Sequence, residues 1–540
     1  MKKIARLFLA PLFGLILFAA CKQKPSAEAI TAFNSVTPVP VSATLDGGTF
    51  FLSDGTSIGI SPVNDDTRNV EGLLQDLLRP ATGFEFALEP GNKDAGILLE
   101  LKEDAAQGDE GYSLTVSEDQ IRITANKAAG IFYGIQTLRQ LLPASIESKS
   151  KQDVRWEIAT GQITDKPGYG WRGSMLDVAR HFFTIEDVKR YIDLIAMYKM
   201  NIFHLHLTDD QGWRIEIKSW PNLALHGGST EVGGAKAGFF TQEQYKDIIA
   251  YAQKRYITVI PEIDMPGHIN SALASYGELN GGTIVPEEGR VKIVQENPIL
   301  GKEKNKPTEL YTGTEVGWST LRLEKESSIR FINDVMRELA EITPGPYLHF
   351  GGDEAHVTKK SDYIGFVKLF SDIAKANKKI LVGWEEIGQG EIDENAIAQH
   401  WANVKYAQMA AEKGAKIIMS PSTRVYIDMQ YDSLSRIGLH WAAYIEADHA
   451  YNWDPATQVE GIDPEQILGV ETPLWSETIT DMEDIEYLLF PRVTAVAEIG
   501  WSPAAARNWE NYRTRIAEHG VRWKKLGIDY YPSKKIDWKE

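Results

Sequence analysis

Residues His349-Phe350-Gly351-Gly352-Asp353-Glu354 set two carboxylates side by side directly after a pair of glycines. On a regular strand, adjacent side chains point to opposite faces. Glycine lets the backbone leave the pleat, so both acids can reach one pocket. Like charges held that close push one proton affinity upward, which suits a general acid beside an ionised partner. Other reactive residue types recur in short runs: Asp177, Arg180 and His181; His204, His206, Asp209 and Asp210; Glu262, Asp264 and His268; Trp384 and Glu385; His400 and Trp401; Tyr426 and Asp428; Trp475 and Glu477. The pair His204-x-His206 admits a second chemistry, because two imidazoles two apart on a strand share a face, as in metal-dependent barrel hydrolases. Apart from His349 and His400, no later strand end offers a histidine with a suitable acid partner, so no metal is expected.

A rhythm of strand, loop and helix from Trp171 onward positions these runs. Strands are predicted at 174–178, 201–207, 256–263, 347–351, 380–384, 397–400, 417–420 and 469–474. One helix enters at Thr184 with Asp187 three residues on, a second at Thr241 with Gln244 in the capping-box position, and a closing helix covers 483–500. These eight βα units imply an α/β fold, a (β/α)8 TIM barrel over 166–525, whose chemistry belongs at the C-terminal ends of its strands. Each reactive run falls where a predicted strand stops. Residues 38–165 read as a small α+β domain, with a strand at 97–101, a hairpin from 111–116 and 120–125, and a helix over 128–142 stopped by Pro143. It shows no catalytic cluster, and a supporting role is expected. Residues 526–540 read as a C-terminal tail.

The 540 residues carry 57 Lys+Arg against 75 Asp+Glu, a formal net charge of −18, which argues against a nucleic-acid partner. A hydrophobic share of 43% with 10% aromatics supports a large core and excludes global disorder. A single cysteine, Cys21, rules out an intramolecular disulfide and a Cys-based metal site. Residues 1–20 combine Lys2, Lys3 and Arg6 with an apolar run from Leu7 to Ala20, the pattern of an export signal and too short for a spanning helix. Phe18-Ala19-Ala20-Cys21 resembles a bacterial lipobox, with Phe18 in place of the usual leucine. Cys21 is therefore expected to carry lipid and anchor an exported protein to the bacterial membrane, in the periplasm or at the cell surface. Residues 21–37, rich in Lys, Gln, Pro, Ser and Ala, read as a polar tether.

The run from His349 to Glu354 resembles the HxGGDE motif of glycoside hydrolase family 20, the exo-acting β-N-acetylhexosaminidases. The resemblance continues in the segments starting at Arg172 (RGSMLDVARHF), His204 (HLHLTDDQGWR) and Pro261 (PEIDMPGH), then in Tyr426-Ile-Asp and Leu474-Trp-Ser-Glu. Residues from Ala129 (AGIFYGIQTL) resemble the small domain that precedes the barrel in this family, so the likeness spans about residues 40–520. It implies a retaining enzyme that releases terminal β-linked GlcNAc or GalNAc, in which the sugar's own acetamide attacks the anomeric carbon and forms an oxazolinium ion. Under that resemblance Glu354 is the acid and then the base, while Asp353 orients the acetamide and offsets its charge. Tyr426 hydrogen-bonds the acetamide oxygen. Asp209 holds His268, which modulates Glu354, and the adjacent Asp210 is an alternative to Asp209. A free glutamic acid titrates near ~4.3, so Glu354 is expected to be raised, in part by Asp353 beside it. Trp384, Trp401 and Trp475 match the family's aromatic walls for the apolar faces of a pyranose; Arg172, Asp428 and Glu477 match its hydroxyl ligands. No cofactor is implied, and the partner is a glycan ending in β-N-acetylhexosamine. Two other readings stay open: a glycan-binding lipoprotein without turnover, and a family variant releasing a disaccharide or 6-sulfo-GlcNAc. Residues 280–317, rich in Gly, Pro, Lys and Glu, are a candidate rim for further sugars.

Overall fold

The computed structural model describes residues 23–286 and 304–539. Its first part is a mixed sheet of β1 (Ser42–Phe51), β2 (Ile58–Ser61), β3 (Ile97–Leu101), β4 (Tyr112–Val116), β5 (Ile121–Ala125) and β6 (Glu157–Asp165), ordered β1-β6-β4-β5-β3-β2. β4 and β5 form the expected antiparallel pair, and their apolar residues alternate with polar ones so that one face is buried. Helix α1 (Ala27–Asn34) packs on β6, and α3 (Ala128–Leu141) covers β4 and β5; α2 (Asp65–Thr82) lies between them in the chain. The stretch read as a polar tether is therefore partly helical. Ser26 caps α1 by accepting from Ala29 N, and Ala29 and Phe33, four residues apart, bury one stripe. Composition hid this because only two large contacts carry it.

From Trp171 the strand–helix alternation closes on itself. Among the described residues β7 (Trp171–Asp177), β8 (Ile202–His206), β9 (Thr258–Glu262), β10 (Tyr347–His349), β11 (Ile380–Trp384), β12 (Ile397–His400), β13 (Lys416–Met419) and β14 (Ile467–Leu474) form a closed barrel. β14 pairs in parallel with β7, and β9 meets β10 through Glu262 and His349. Thr184 and Thr241 cap their helices in reciprocal boxes with Asp187 and Gln244, as their spacing predicts. The predicted closing helix is two helices, Met482–Leu489 and Arg492–Trp501, because Pro491 cannot continue the hydrogen-bond ladder. The expected tail is packed: Tyr531 stacks on Tyr431 at 3.8 Å and Ile536 is buried.

Charged groups cement the two parts at the N-terminal end of the barrel. Arg172, at the start of β7, pairs with Glu110 of the first domain at 2.8 Å and donates to Lys199 O at 2.9 Å. Lys199 in turn pairs with Asp165 of β6 at 2.9 Å, and Trp501 Nε1 donates to the same carboxylate at 2.9 Å. Such buried pairs are costly to break from one side, since the remaining charge is left without a partner.

Candidate active site

A pocket of about 290 Å³ opens where the barrel strands end, lined by Arg180 after β7, Asp353 and Glu354 after β10, Trp401 after β12, Tyr426 and Asp428 after β13, and Trp475 and Glu477 after β14. Thr314, Val316, Leu439 and Trp441 complete the lining.

The two adjacent acids reach it as their glycines predict. Gly351 (φ 66) and Gly352 (φ 106) occupy the left-handed region and end β10. A Cβ on Gly351 would fall 1.8 Å from Asp264 Oδ1, the same oxygen that accepts from Gly352 N at 3.0 Å. Glu354 (φ 43) and His268 (φ 50) also sit in the left-handed region, a strain that non-glycine residues keep where the surroundings impose it. As a result, side-chain atoms of Asp353, Glu354 and His268 lie within 4.8 Å of one another. His268 Nε2 is 3.5 Å from Glu354 Oε2 and 3.7 Å from Asp353 Oδ2, while its Nδ1 is 3.1 Å from Asp209 Oδ1. Asp209 therefore holds the imidazole. Asp210 is engaged elsewhere, accepting from Ser319 Oγ at 2.5 Å and Asn270 N at 2.9 Å.

Electrostatics divide the pair in the opposite sense to the sequence expectation. Burial pushes Asp353 up to about 6 against the pull of His268, with Glu262 and Glu354 adding to the rise. Burial raises Glu354 too, but the hydrogen bond and charge of His268, helped by His356 and Arg180, bring it below an ordinary glutamate. Of the two acids, Asp353, 8% exposed, therefore keeps a proton to the higher pH, and Glu354 loses its own first. His268 supplies the charge: burial opposes its protonation, and Asp209 and Asp264 more than reverse that.

Several pocket atoms lack what buried polar atoms nearly always have. Among the described residues, both carboxylate oxygens of Asp428, Oδ1 of Asp353, Oε2 of Glu477 and Nε of Arg180 are buried without a hydrogen-bond partner. Burial holds Asp428 well above the carboxylate range and raises Glu477, although Arg180 pulls on both. This inventory of acceptors and one donor fits a ligand rich in hydroxyl and N–H groups.

Aromatic side chains form the walls. Trp401 Nε1 donates to both oxygens of Glu386 at 3.2 Å, and Glu385 accepts from the backbone N–H groups of Trp401, Ala402 and Asn403. Its indole lies over Tyr426 (6.4 Å between ring centres, planes 18° apart), and Trp441 stands edge-on to both. Arg180 lies 4.8 Å over Trp475 while pairing with Asp209 at 2.8 Å and Asp177 at 3.3 Å.

Two expected ligands are corrected. Arg172 is 0% exposed and pairs with Glu110 at the far end of β7, so it cannot touch a molecule in the pocket. Arg180, beyond the other end of β7, takes that place; the strand-end rule alone would have favoured it. Trp384 is 1% exposed, donates to Glu262 Oε1 at 2.8 Å and stands 5.8 Å from Trp475, so it backs the wall instead of facing the pocket. Trp441, 57% exposed, went unread because it lies in an irregular stretch after Asp428 with no strand or helix period. Thr314 and Val316 belong to the candidate rim, of which 287–303 lies outside the described residues, as do Cys21 and the expected export segment.

Four groups of His, Asp and Glu in and beneath the pocket, among them His204, Glu262 and His349, are close enough to hold an ion. Contacts such as His204–Glu471 at 2.7 Å and His206–Glu262 at 2.6 Å are those of imidazole–carboxylate hydrogen bonds, a use of these groups that needs no metal.

The family description "Glycosyl hydrolase family 20, catalytic domain" matches residues 169–364 and 357–504, and "Glycosyl hydrolase family 20, domain 2" matches residues 34–166. The sequence is 37% identical over 510 residues to a beta-N-acetylhexosaminidase of Cellulomonas fimi, covering 93% of this chain and 97% of the relative. The structure is similar, with a TM-score of 0.88, to the Streptomyces plicatus N-acetyl-beta-hexosaminidase in complex with Thio-NAglucal, at 43% identity over 96% of this chain and 99% of that one. A mutant of the Streptomyces plicatus enzyme in complex with the product GlcNAc gives the same TM-score of 0.88, at 44% identity over 94% and 98% of the two chains.

Proposed function

The chain belongs to glycosyl hydrolase family 20, and from that premise we propose that its pocket removes single β-linked N-acetylhexosamine residues from the non-reducing ends of glycans. The substrate's acetamide is the nucleophile. The observation that carries this reading is the convergence of consecutive acids, Asp353 and Glu354, on one imidazole in a pocket where Asp353 Oδ1 and both Asp428 oxygens are buried without partners among the described residues. Retaining glycosidases that use a protein nucleophile hold their two carboxyl groups ~5–5.5 Å apart, one on each side of the scissile bond. Neighbours on one loop suit a division of labour in which neither forms a bond to carbon.

The chemistry follows from the charges. The acetamide N–H donates to Asp353, which favours its carboxylate and frees its proton. Glu354, losing its remaining solvent as the sugar fills the pocket, is pushed up by the same desolvation that already opposes its charge, and takes up the proton that Asp353 gives up. It protonates the leaving oxygen while the acetamide oxygen, aimed by Tyr426, closes on C1. Asp353 offsets the positive oxazolinium. Glu354 then takes a proton from water as that water opens the ring with retention. Trp401 and Trp475 flank the pyranose, Asp428 and Glu477 accept from its hydroxyls, and Arg180 donates to one. The test is a pair of aryl β-glycosides differing at C2. The acetamido compound should be turned over at least ~10²-fold faster than the hydroxy compound; equal rates would overturn the assisted mechanism. No turnover of either would support the binding-protein reading.

We also propose that the protein is exported and held at the membrane by lipid on Cys21. Support comes from Lys2, Lys3 and Arg6 ahead of an apolar run ending in Phe18-Ala-Ala-Cys. Cys21→Ser should move hexosaminidase activity from the membrane pellet to the soluble fraction; an unchanged distribution would refute the anchor.

A further inference from the structure

Beneath the pocket the barrel interior holds more ionisable groups than the hydrolytic steps use. Glu471 Oε1 lies 2.7 Å from His204 Nδ1, and His204 Nε2 lies 3.0 Å from Glu262 Oε2. Glu262 Oε2 is 2.6 Å from His206 Nδ1, and His206 Nε2 is 3.1 Å from Asp209 Oδ2. Asp209 then reaches His268 at 3.1 Å, and His268 reaches Glu354 at 3.5 Å. Each ring nitrogen of three imidazoles thus lies within 3.5 Å of a carboxylate oxygen, and the hydrogen-bonded contacts are His204–Glu471, His206–Glu262, His206–Asp209 and His268–Asp209. The sequence builds this arrangement simply. His204 and His206 share the inward face of β8, and strand register sets Glu262 of β9 directly beside His206.

We propose that His206, clasped between Glu262 and Asp209, is a positioning residue for the proton donor: its charge governs how firmly Asp209 holds His268, and so the pH at which Glu354 gives up its proton. This rests on the reading of Glu354 as the acid. The groups facing His206 are Glu262 and Asp264 from β9 and its loop, Asp177 from the end of β7, Asp209 from its own loop, Arg180 through its 2.8 Å contact with Asp209, and the edge of Trp475. Carboxylates outnumber the guanidinium. Burial opposes protonation of His206, but Glu262, Asp209 and Asp177 keep it charged well beyond an ordinary histidine.

The same carboxylate carries a built-in comparison. His349 Nδ1 is also 3.0 Å from Glu262, and its ring packs 4.5 Å from that of His204. Its burial is not overcome, so it is lowered and stays neutral, whereas His204 is raised to about 9 against its own burial by Glu471 and Glu262. Charged and uncharged imidazoles therefore hang on one glutamate.

The experiment is the pH profile of kcat, which reports Glu354 with the sugar bound, on an aryl N-acetyl-β-glucosaminide for His206→Gln, His204→Gln and His349→Gln. Removing a buried positive charge strengthens proton binding by its neighbours, so His206→Gln should move the alkaline limb upward by on the order of half a unit to one unit. His204→Gln, one step further away, should move it the same way by less. His349→Gln should leave it in place, whatever that change does to the rate. An unmoved limb in His206→Gln, or an equal shift in His349→Gln, overturns the proposal. If His206→Gln does not fold, the contrast between His204 and His349 decides. Glu354→Gln separates the two layers: its alkaline limb should vanish, and a persisting limb would refute the acid assignment instead of the coupling.

Discussion

Asp353→Asn is expected to lower kcat on N-acetyl-β-glucosaminides by at least ~10²-fold, the scale of losing one preorganised charge contact in a water-poor site. Shape is preserved, so binding of the ring changes little. What disappears is the negative charge that must face the acetamide nitrogen as it becomes cationic. The pH profile gives a second signature. Burial holds Asp353 at about 6 and the acetamide N–H favours its carboxylate, so affinity for an N-acetylhexosamine ligand should show an acid limb, tightening as pH rises through that value. The asparagine variant has no such limb. Stability should move the other way. A carboxyl whose native pKa lies above its unfolded value of ~3.9 contributes stability that is fully present below that value and lost as pH rises through about 6. Asp353→Asn never ionises, so at pH 7 it should be more stable than wild type by on the order of 2 kcal/mol, with the gap closing below about pH 4. Thermal melts across that window check the sign. A variant that keeps its rate and its acid limb would sink the role assigned to Asp353.

The architecture was legible because its signals are local. Each barrel strand is a short apolar run followed by a loop with polar residues, and Thr184 and Thr241 announce their helices by spacing alone. The consecutive acids were legible for the same reason: Gly351 and Gly352 are explicable only if the chain leaves the pleat there. What stayed hidden depended on which end of an element a residue occupies, or on charges brought in from elsewhere. Arg172 and Arg180 differ by eight positions and flank one strand; the first is clamped by Glu110, 62 residues away, which no local pattern shows. The choice between Asp209 and Asp210 needed the position of His268. The direction of the Glu354 shift needed it too, since adjacency to Asp353 argues upward while a protonated imidazole at 3.5 Å argues downward. The helix at Ala27–Asn34 escaped because its buried stripe is two residues wide.

Glu354→Gln should lose activity in proportion to how much the leaving group needs a proton. On a disaccharide glycoside, whose departing alkoxide is strongly basic, the fall should reach ~10²–10⁴-fold, the range attributed to general acid catalysis. On an aryl glycoside with an acidic phenol the first step needs little help, and the remaining loss reflects the second step, in which water has no base. Added azide bypasses that base, because it attacks without surrendering a proton. It should therefore restore turnover of the activated substrate in Glu354→Gln and leave Asp353→Asn unaffected, since that variant fails at forming the oxazolinium. The azide product carries further information. With the acetamide covering one face of C1, azide can enter only from the face the leaving group vacated, so the glycosyl azide should be the β anomer. A loss uniform across leaving groups, or an α-azide, would mean that the proton donor or the nucleophile lies elsewhere in the pocket.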